Sequence, residues 1–100
     1  MQAILQVSPE QVRRTGTNVI LWYMPTCPAC IRYKPEFEKT IKLLPSSVKI
    51  YAIDVSRYMA PVALSGEEVQ LVPSVSIIKP GQPPRLYRSK TALEIKNIAC

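Results

Sequence analysis

The sequence predicts an α/β fold, with a central mixed β-sheet flanked by helices. Three observations predict it. Apolar, β-prone runs alternate with helix-patterned segments along most of the chain, which requires parallel pairing of the early strands. Two later runs are separated by Pro80-Gly81-Gln82, a turn that pairs them antiparallel. The 100 residues, 47% hydrophobic with mean hydropathy +0.04, suffice for one core, so residues 1–100 are read as one domain.

The elements follow in order. Residues 3–7 form a short apolar–polar segment, read as an edge strand. Ser8 can cap, Pro9 suits a first helical position and Glu10 favours a first turn, so a short helix is expected over 9–14. Thr15-Gly16-Thr17-Asn18 breaks it. Residues 19–23 are continuously apolar or aromatic, the signature of a strand buried on both faces. Met24-Pro25-Thr26 is a turn, and a helical pattern runs over 27–44. There Ile31, Pro35, Phe37, Ile41 and Leu44 form the expected buried stripe, with Arg32, Lys34, Glu36, Glu38, Lys39 and Lys42 facing water. Pro35 removes one hydrogen bond and predicts a kink.

Pro45-Ser46-Ser47 ends that helix, and residues 48–55 form a second strong strand. A short helix is expected within 56–70, interrupted by Pro61 and Gly66. Leu71-Val72-Pro73 leads into a strand over 74–79, the turn follows, and 85–88 returns antiparallel. A short helix over 91–99 closes the chain. There is no internal repeat and no low-complexity segment.

The net charge of +6 comes from 13 Lys and Arg against 7 Asp and Glu. The cations are scattered singly apart from Arg13-Arg14, without a basic block or a basic–aromatic repeat, which argues against nucleic acid as a partner. The balance favours solubility or weak steering toward acidic partners. No apolar stretch reaches the ~18–20 residues that span a bilayer, and the N-terminus lacks the pattern of a signal peptide. These features predict no membrane association and a cytoplasmic location, including that of a virus-infected host cell.

Cys27-Pro28-Ala29-Cys30 carries the chemistry. Two thiols at this spacing can close a disulfide across one helical turn. If Cys27 opens the helix, unpaired N–H groups and the helix dipole stabilise its thiolate and convert an inert thiol into an electron carrier. A structural zinc site needs about four ligands. With no histidine and no second C-x-x-C, one chain does not supply them, although two chains could share four thiolates.

Four landmarks in order resemble the thioredoxin superfamily. Trp22-Tyr23-Met24-Pro25-Thr26-Cys27-Pro28-Ala29-Cys30 is similar to the active-site segment of thioredoxins and protein disulfide isomerase domains. Pro35 matches the proline five residues after the second cysteine, Val72-Pro73-Ser74 the motif around a cis-proline, and Lys79-Pro80-Gly81 the Lys-x-Gly turn. The resemblance covers nearly the whole chain and implies a thioredoxin-like fold with shortened N- and C-terminal elements. The chain departs from the pattern in several further places, and its Pro28-Ala29 dipeptide matches neither Gly-Pro nor Gly-His. Thr26 replaces a tryptophan, Leu21 stands where thioredoxins bury an aspartate, and Ser89 stands where a glycine follows the last strand. A Gly-Gly pair of the glutaredoxin type is absent after the proline strand.

The resemblance implies a thiol-disulfide oxidoreductase. Cys27 is the expected nucleophile and Cys30 the resolving thiol. Val72 and a cis Pro73 would guide an extended substrate, with Pro25, Thr26 and Ala29 as an apolar rim. Neither an organic cofactor nor a metal is implied. The partners would be protein substrates bearing thiols or disulfides, and a recycling reductase or sulfhydryl oxidase. Trp22 is read as core; Tyr23 and Tyr58 are candidates for the neighbourhood of the site. Cys100 is expected to be exposed in a monomer, either unpaired, linking a dimer, or exchanging with Cys27. The rival function is a thioredoxin-fold binding or assembly module with little turnover; a Cys27→Ser protein that still binds its partner would separate the two.

Overall fold

The computed structural model describes residues 2–100. Five strands, β1 (Leu5–Gln6), β2 (Asn18–Tyr23), β3 (Lys49–Asp54), β4 (Ser74–Ile78) and β5 (Arg85–Arg88), form one sheet in the order β1-β3-β2-β4-β5. β3 pairs parallel with both β1 and β2, whereas β4 pairs antiparallel with β2 and β5. This is the mixed sheet of the thioredoxin fold, with parallel pairing early and a hairpin late.

The continuous apolar run of β2 is explained by its central place. Alternate residues face opposite sides of a strand. Val19 and Leu21 enter one core with Tyr33, Phe37 and Ile95; Ile20 and Trp22 enter the other with Tyr51, Ile53 and Leu64. Helices α1 (Pro28–Glu38), α2 (Thr40–Leu43) and α4 (Ala92–Ala99) supply the first face. The second is covered by α3 (Val62–Ser65) and by Val12, which follows a 3-10 turn over Pro9–Gln11. That turn is all that forms of the helix expected over 9–14, and α4 has only eight residues. Both terminal elements are thus short.

The helix expected over 27–44 is two helices, divided at Lys39. Its buried stripe differs from the expectation. Ile31 is 60% exposed and Pro35 is also exposed; the residues that meet the sheet are Cys30, Tyr33, Phe37, Thr40 and Leu44. Cys30 sets that phase from the first turn, and spacings of three and four carry it onward. Within 56–70, Pro61 caps α3 and Gly66 ends it with φ +87°, so both residues bound the helix rather than interrupt it. A Cβ at Gly66 would lie 2.3 Å from the Pro84 carbonyl oxygen, so only glycine fits there.

Two links fix α1 against α4. The buried Tyr33 hydroxyl donates to the Lys90 carbonyl, and the Ala92 N–H donates to Glu36 Oε2 at 2.9 Å. Thr91 caps α4 by accepting from the Glu94 N–H at 3.2 Å, and Glu94 returns the bond to the Thr91 N–H at 2.9 Å.

Candidate active site

β2 ends at Tyr23, the chain turns through Met24–Thr26, and Cys27 becomes the N-cap of α1 with φ −78° and ψ 119°. Pro28 occupies the first helical position, where its missing N–H costs no helical bond. The next donors are therefore the ones that face the sulfur. The Cys30 N–H, followed by the Cys30 thiol, holds the Cys27 thiol below its ordinary range; burial opposes this, and the Ala29 N–H and the charge of Arg32 add lesser lowering contributions. Cys30, one turn on and 6% exposed, shifts the other way. Burial raises its pKa, and the neighbouring Cys27 sulfur adds to that, while the backbone at Met24 partly offsets both. Both thiols are free.

The segment before β4 closes the other side. Cys27 Sγ lies 4.0 Å from the Val72 carbonyl oxygen, and the Val72–Pro73 peptide bond is cis. Ser74 Oγ donates to the Leu71 carbonyl at 2.6 Å and holds this turn. Val72 is half-buried and Pro73 buried. The structure thus brings Cys27, Cys30, Val72 and Pro73 together. Pro25 and Thr26 are exposed on the preceding turn, and half-buried Ala29 lies in the first turn of α1.

Leu21 is buried beneath Cys30, where a cavity of about 490 Å³ separates α1 from the β1–β3–β2 side of the sheet. Leu21, Ala52, Phe37 and Cys30 line it, together with Lys34 and Glu38. Leu21 and Ala52 are partners across the parallel pair, so a short side chain stands beside an apolar one at this depth. Glu38, distant from Leu21 in sequence, reaches the same cavity because it lies two helical turns beyond Cys30. Arg32 faces water as expected, and its charge also acts on Cys27.

Trp22 is fully buried, its Nε1–H bonded to Ser76 Oγ at 2.9 Å, as expected for a core residue. Tyr23 hydrogen-bonds Gln6 Oε1 at 2.6 Å and lines the cavity with Pro25 and Cys30. Tyr58 packs on the opposite face of the sheet from Cys30, with Ile53 and Leu64. Cys100 is exposed at the end of α4. Its neighbour Ile98 lies against Ile77 and Lys79, at the end of β4 remote from Val72, so the fold does not bring Cys100 to Cys27. Among the described residues no three His, Cys, Asp or Glu side chains gather into a metal-binding group, and no helix is long and apolar enough to cross a membrane.

A search of curated protein sequences returns no match. Solved structures are similar throughout. Chloroplastic thioredoxin z superposes with a TM-score of 0.78 at 21% identity, over 99% of this chain and 93% of that one. The Trx4 domain of ERdj5 gives 0.80 at 20% identity, over 98% and 93%. The first thioredoxin domain of mouse protein disulfide-isomerase A4 gives 0.75 at 24% identity, over 94% and 71%. The family model named Thioredoxin matches residues 7–99, and on that extent the chain belongs to the thioredoxin family.

Proposed function

We propose that the protein is a thiol-disulfide oxidoreductase that exchanges disulfides with protein substrates through Cys27 and Cys30. The observation that carries this reading is the placement of two thiols one helical turn apart, Cys27 half-buried at the N-cap of α1 and Cys30 buried behind it. The N–H of Cys30 lowers the pKa of the first thiol and burial raises that of the second. Thiolate is the attacking species in exchange, so the pair has an order built into it.

In the reducing direction, the Cys27 thiolate attacks one sulfur of a substrate disulfide. A bond forms between Cys27 and that sulfur, the substrate S–S bond breaks, and the departing thiolate takes a proton from solvent. Cys30 then loses its proton and attacks Cys27 Sγ. The mixed disulfide breaks, the second substrate thiolate leaves, and the protein is left oxidised by two electrons. Run backwards, the same steps oxidise a substrate dithiol. A separate reductase or sulfhydryl oxidase resets the pair. Val72, with its carbonyl turned toward Cys27, presents backbone groups against which an extended substrate can lie.

The test is titration of the purified protein against a glutathione redox series, with thiols trapped by alkylation and assigned by mass spectrometry. The expected result is a single two-electron transition at Cys27–Cys30. A midpoint near about −270 mV identifies a reductant, and one near about −120 to −180 mV an oxidant or isomerase. If no Cys27–Cys30 disulfide forms at any poise, the oxidoreductase reading is wrong and the binding module takes its place.

A further inference from the structure

The end of the sheet that carries Cys27 has an uneven charge. Arg88 of β5 stands directly across from Ser74, the residue after Pro73. Leu86, two positions earlier on β5, packs with Trp22 and Leu64, so Arg88 leaves the sheet on that same face, beside the 71–74 turn. It is exposed. Lys90 follows in the turn into α4, with its Nζ 5.9 Å from the centroid of the Tyr87 ring. Arg32 of α1 is close enough to act on Cys27. Two cations of separate elements therefore flank the segment formed by Cys27 and Val72, Arg88 across from Ser74 and Arg32 through its charge on Cys27.

Among the described residues no acidic side chain forms a salt bridge with Arg88 or Arg32. Among the described residues the only salt bridge joins Lys39 to Glu36, which also accepts the Ala92 N–H. Asp54 accepts both the Ser56 N–H at 2.9 Å and its hydroxyl at 2.6 Å. Glu94 is bonded to the Thr91 N–H and faces Lys90, which leaves Arg88 and Arg32 without an acidic partner. Glu67 and Glu68 follow Gly66, which abuts Pro84 at the start of β5, and among the described residues neither forms a salt bridge. A guanidinium offers a planar fork matched to a carboxylate.

We propose that Arg88, with Arg32, selects substrate disulfides whose flanking residues are acidic. The inference rests on the exchange reaction proposed above and adds its substrate class. An extended segment lying along Val72 carries the residues next to its cysteine past Arg88. Carboxylates there gain an ion pair on binding, and cations there are repelled. Exposed pairs are individually weak, so discrimination arises from the two cations acting together and is sensitive to salt.

The test uses the full chain, reduced, in single-turnover exchange with three disulfide-linked peptides that differ only in flanking Asp, Ser or Lys, and with hydroxyethyl disulfide. The expected second-order rate constants rank Asp over Ser over Lys, with Asp about tenfold above Ser at low salt and the gap closing near 1 M salt. Arg88→Ser lowers the Asp-to-Ser ratio about three- to fivefold, and Arg88→Lys restores part of it. Lys42→Ser, on α2, makes the same change in net charge and leaves the ratio where it was. Equal rates for all three peptides overturn the inference alone, as does an equal loss of ratio in Lys42→Ser and Arg88→Ser. If neither the peptides nor hydroxyethyl disulfide react, the exchange reading itself falls and takes the inference with it.

Discussion

The two ends of β2 treat their polar groups in opposite ways. At the start of the strand, Asn18 is 1% exposed and saturated. Its Oδ1 accepts from Arg13 Nε at 2.8 Å and its Nδ2 donates to the Arg13 carbonyl at 3.0 Å. Arg13 Nη2 donates to the carbonyls of Thr17 at 3.0 Å and Ser47 at 2.7 Å, and the Arg13 N–H donates to the Tyr51 hydroxyl at 3.2 Å. At the other end, past Tyr23, the sulfur of Cys27 has a carbonyl at 4.0 Å and a pair of N–H groups, and it remains partly open to solvent. One end uses its polar groups to join three segments of chain. The other holds the Cys27 sulfur in place while leaving it partly open, as the proposed exchange requires. The same strand therefore ends in a closed polar network on one side and an open thiol on the other.

The largest expected effect lies at the reactive end. Cys27→Ser abolishes exchange in a single-turnover assay and leaves the denaturation midpoint of the reduced protein within the range of a surface change. A Cys27→Ser protein that still exchanges disulfides would move the chemistry elsewhere. Next is Asn18→Leu, which leaves the Arg13 guanidinium and carbonyl short of partners. Urea unfolding should show a loss of about 2–4 kcal/mol, with the alkylation rate of Cys27 in the folded protein unchanged. An altered alkylation rate would mean that the two ends are coupled.

The pH dependence is a smaller effect. Because the N–H of Cys30 stabilises the Cys27 thiolate, alkylation of Cys27 should rise with a midpoint below that of the unfolded chain. The sign for stability follows: the contribution of Cys27 to the reduced fold is present above the unfolded value and is lost as pH falls through the lowered one. Cys30, raised by burial, opposes this at alkaline pH and reacts later. Rate profiles by mass spectrometry check both, and coincident midpoints would remove the asymmetry. The smallest effect is expected for Tyr33→Phe, which deletes the bond to the Lys90 carbonyl for a loss of about 1 kcal/mol. A change in Cys27 reactivity in that variant would show that the α1–α4 link supports the site.

The sequence displayed its strands clearly. The run in 19–23 and the hairpin around Gly81 each depend on local pattern, and β5 occupies the expected 85–88. The thiol pair was equally visible, since its spacing is short and its helix follows directly. The phase of α1 was not visible. Ile31 and Ile41 are apolar and suitably spaced, yet burial follows Cys30, Tyr33 and Phe37, whose face is chosen by contact with the sheet. The cavity behind Cys30 depends on Leu21 meeting Ala52, and the position of Arg88 on its register with Ser74. Both are pairings between distant segments, and no local pattern encodes them.

The burial of Trp22 has an optical consequence. It is the only tryptophan of the chain, fully buried, and its indole N–H is bonded to Ser76 in the core on the face of the sheet away from Cys30. Its emission should be that of a shielded indole, shifting to the red when the core opens and changing little when the thiols are oxidised. Fluorescence would then report folding alone, leaving the redox state to be read independently in the same sample.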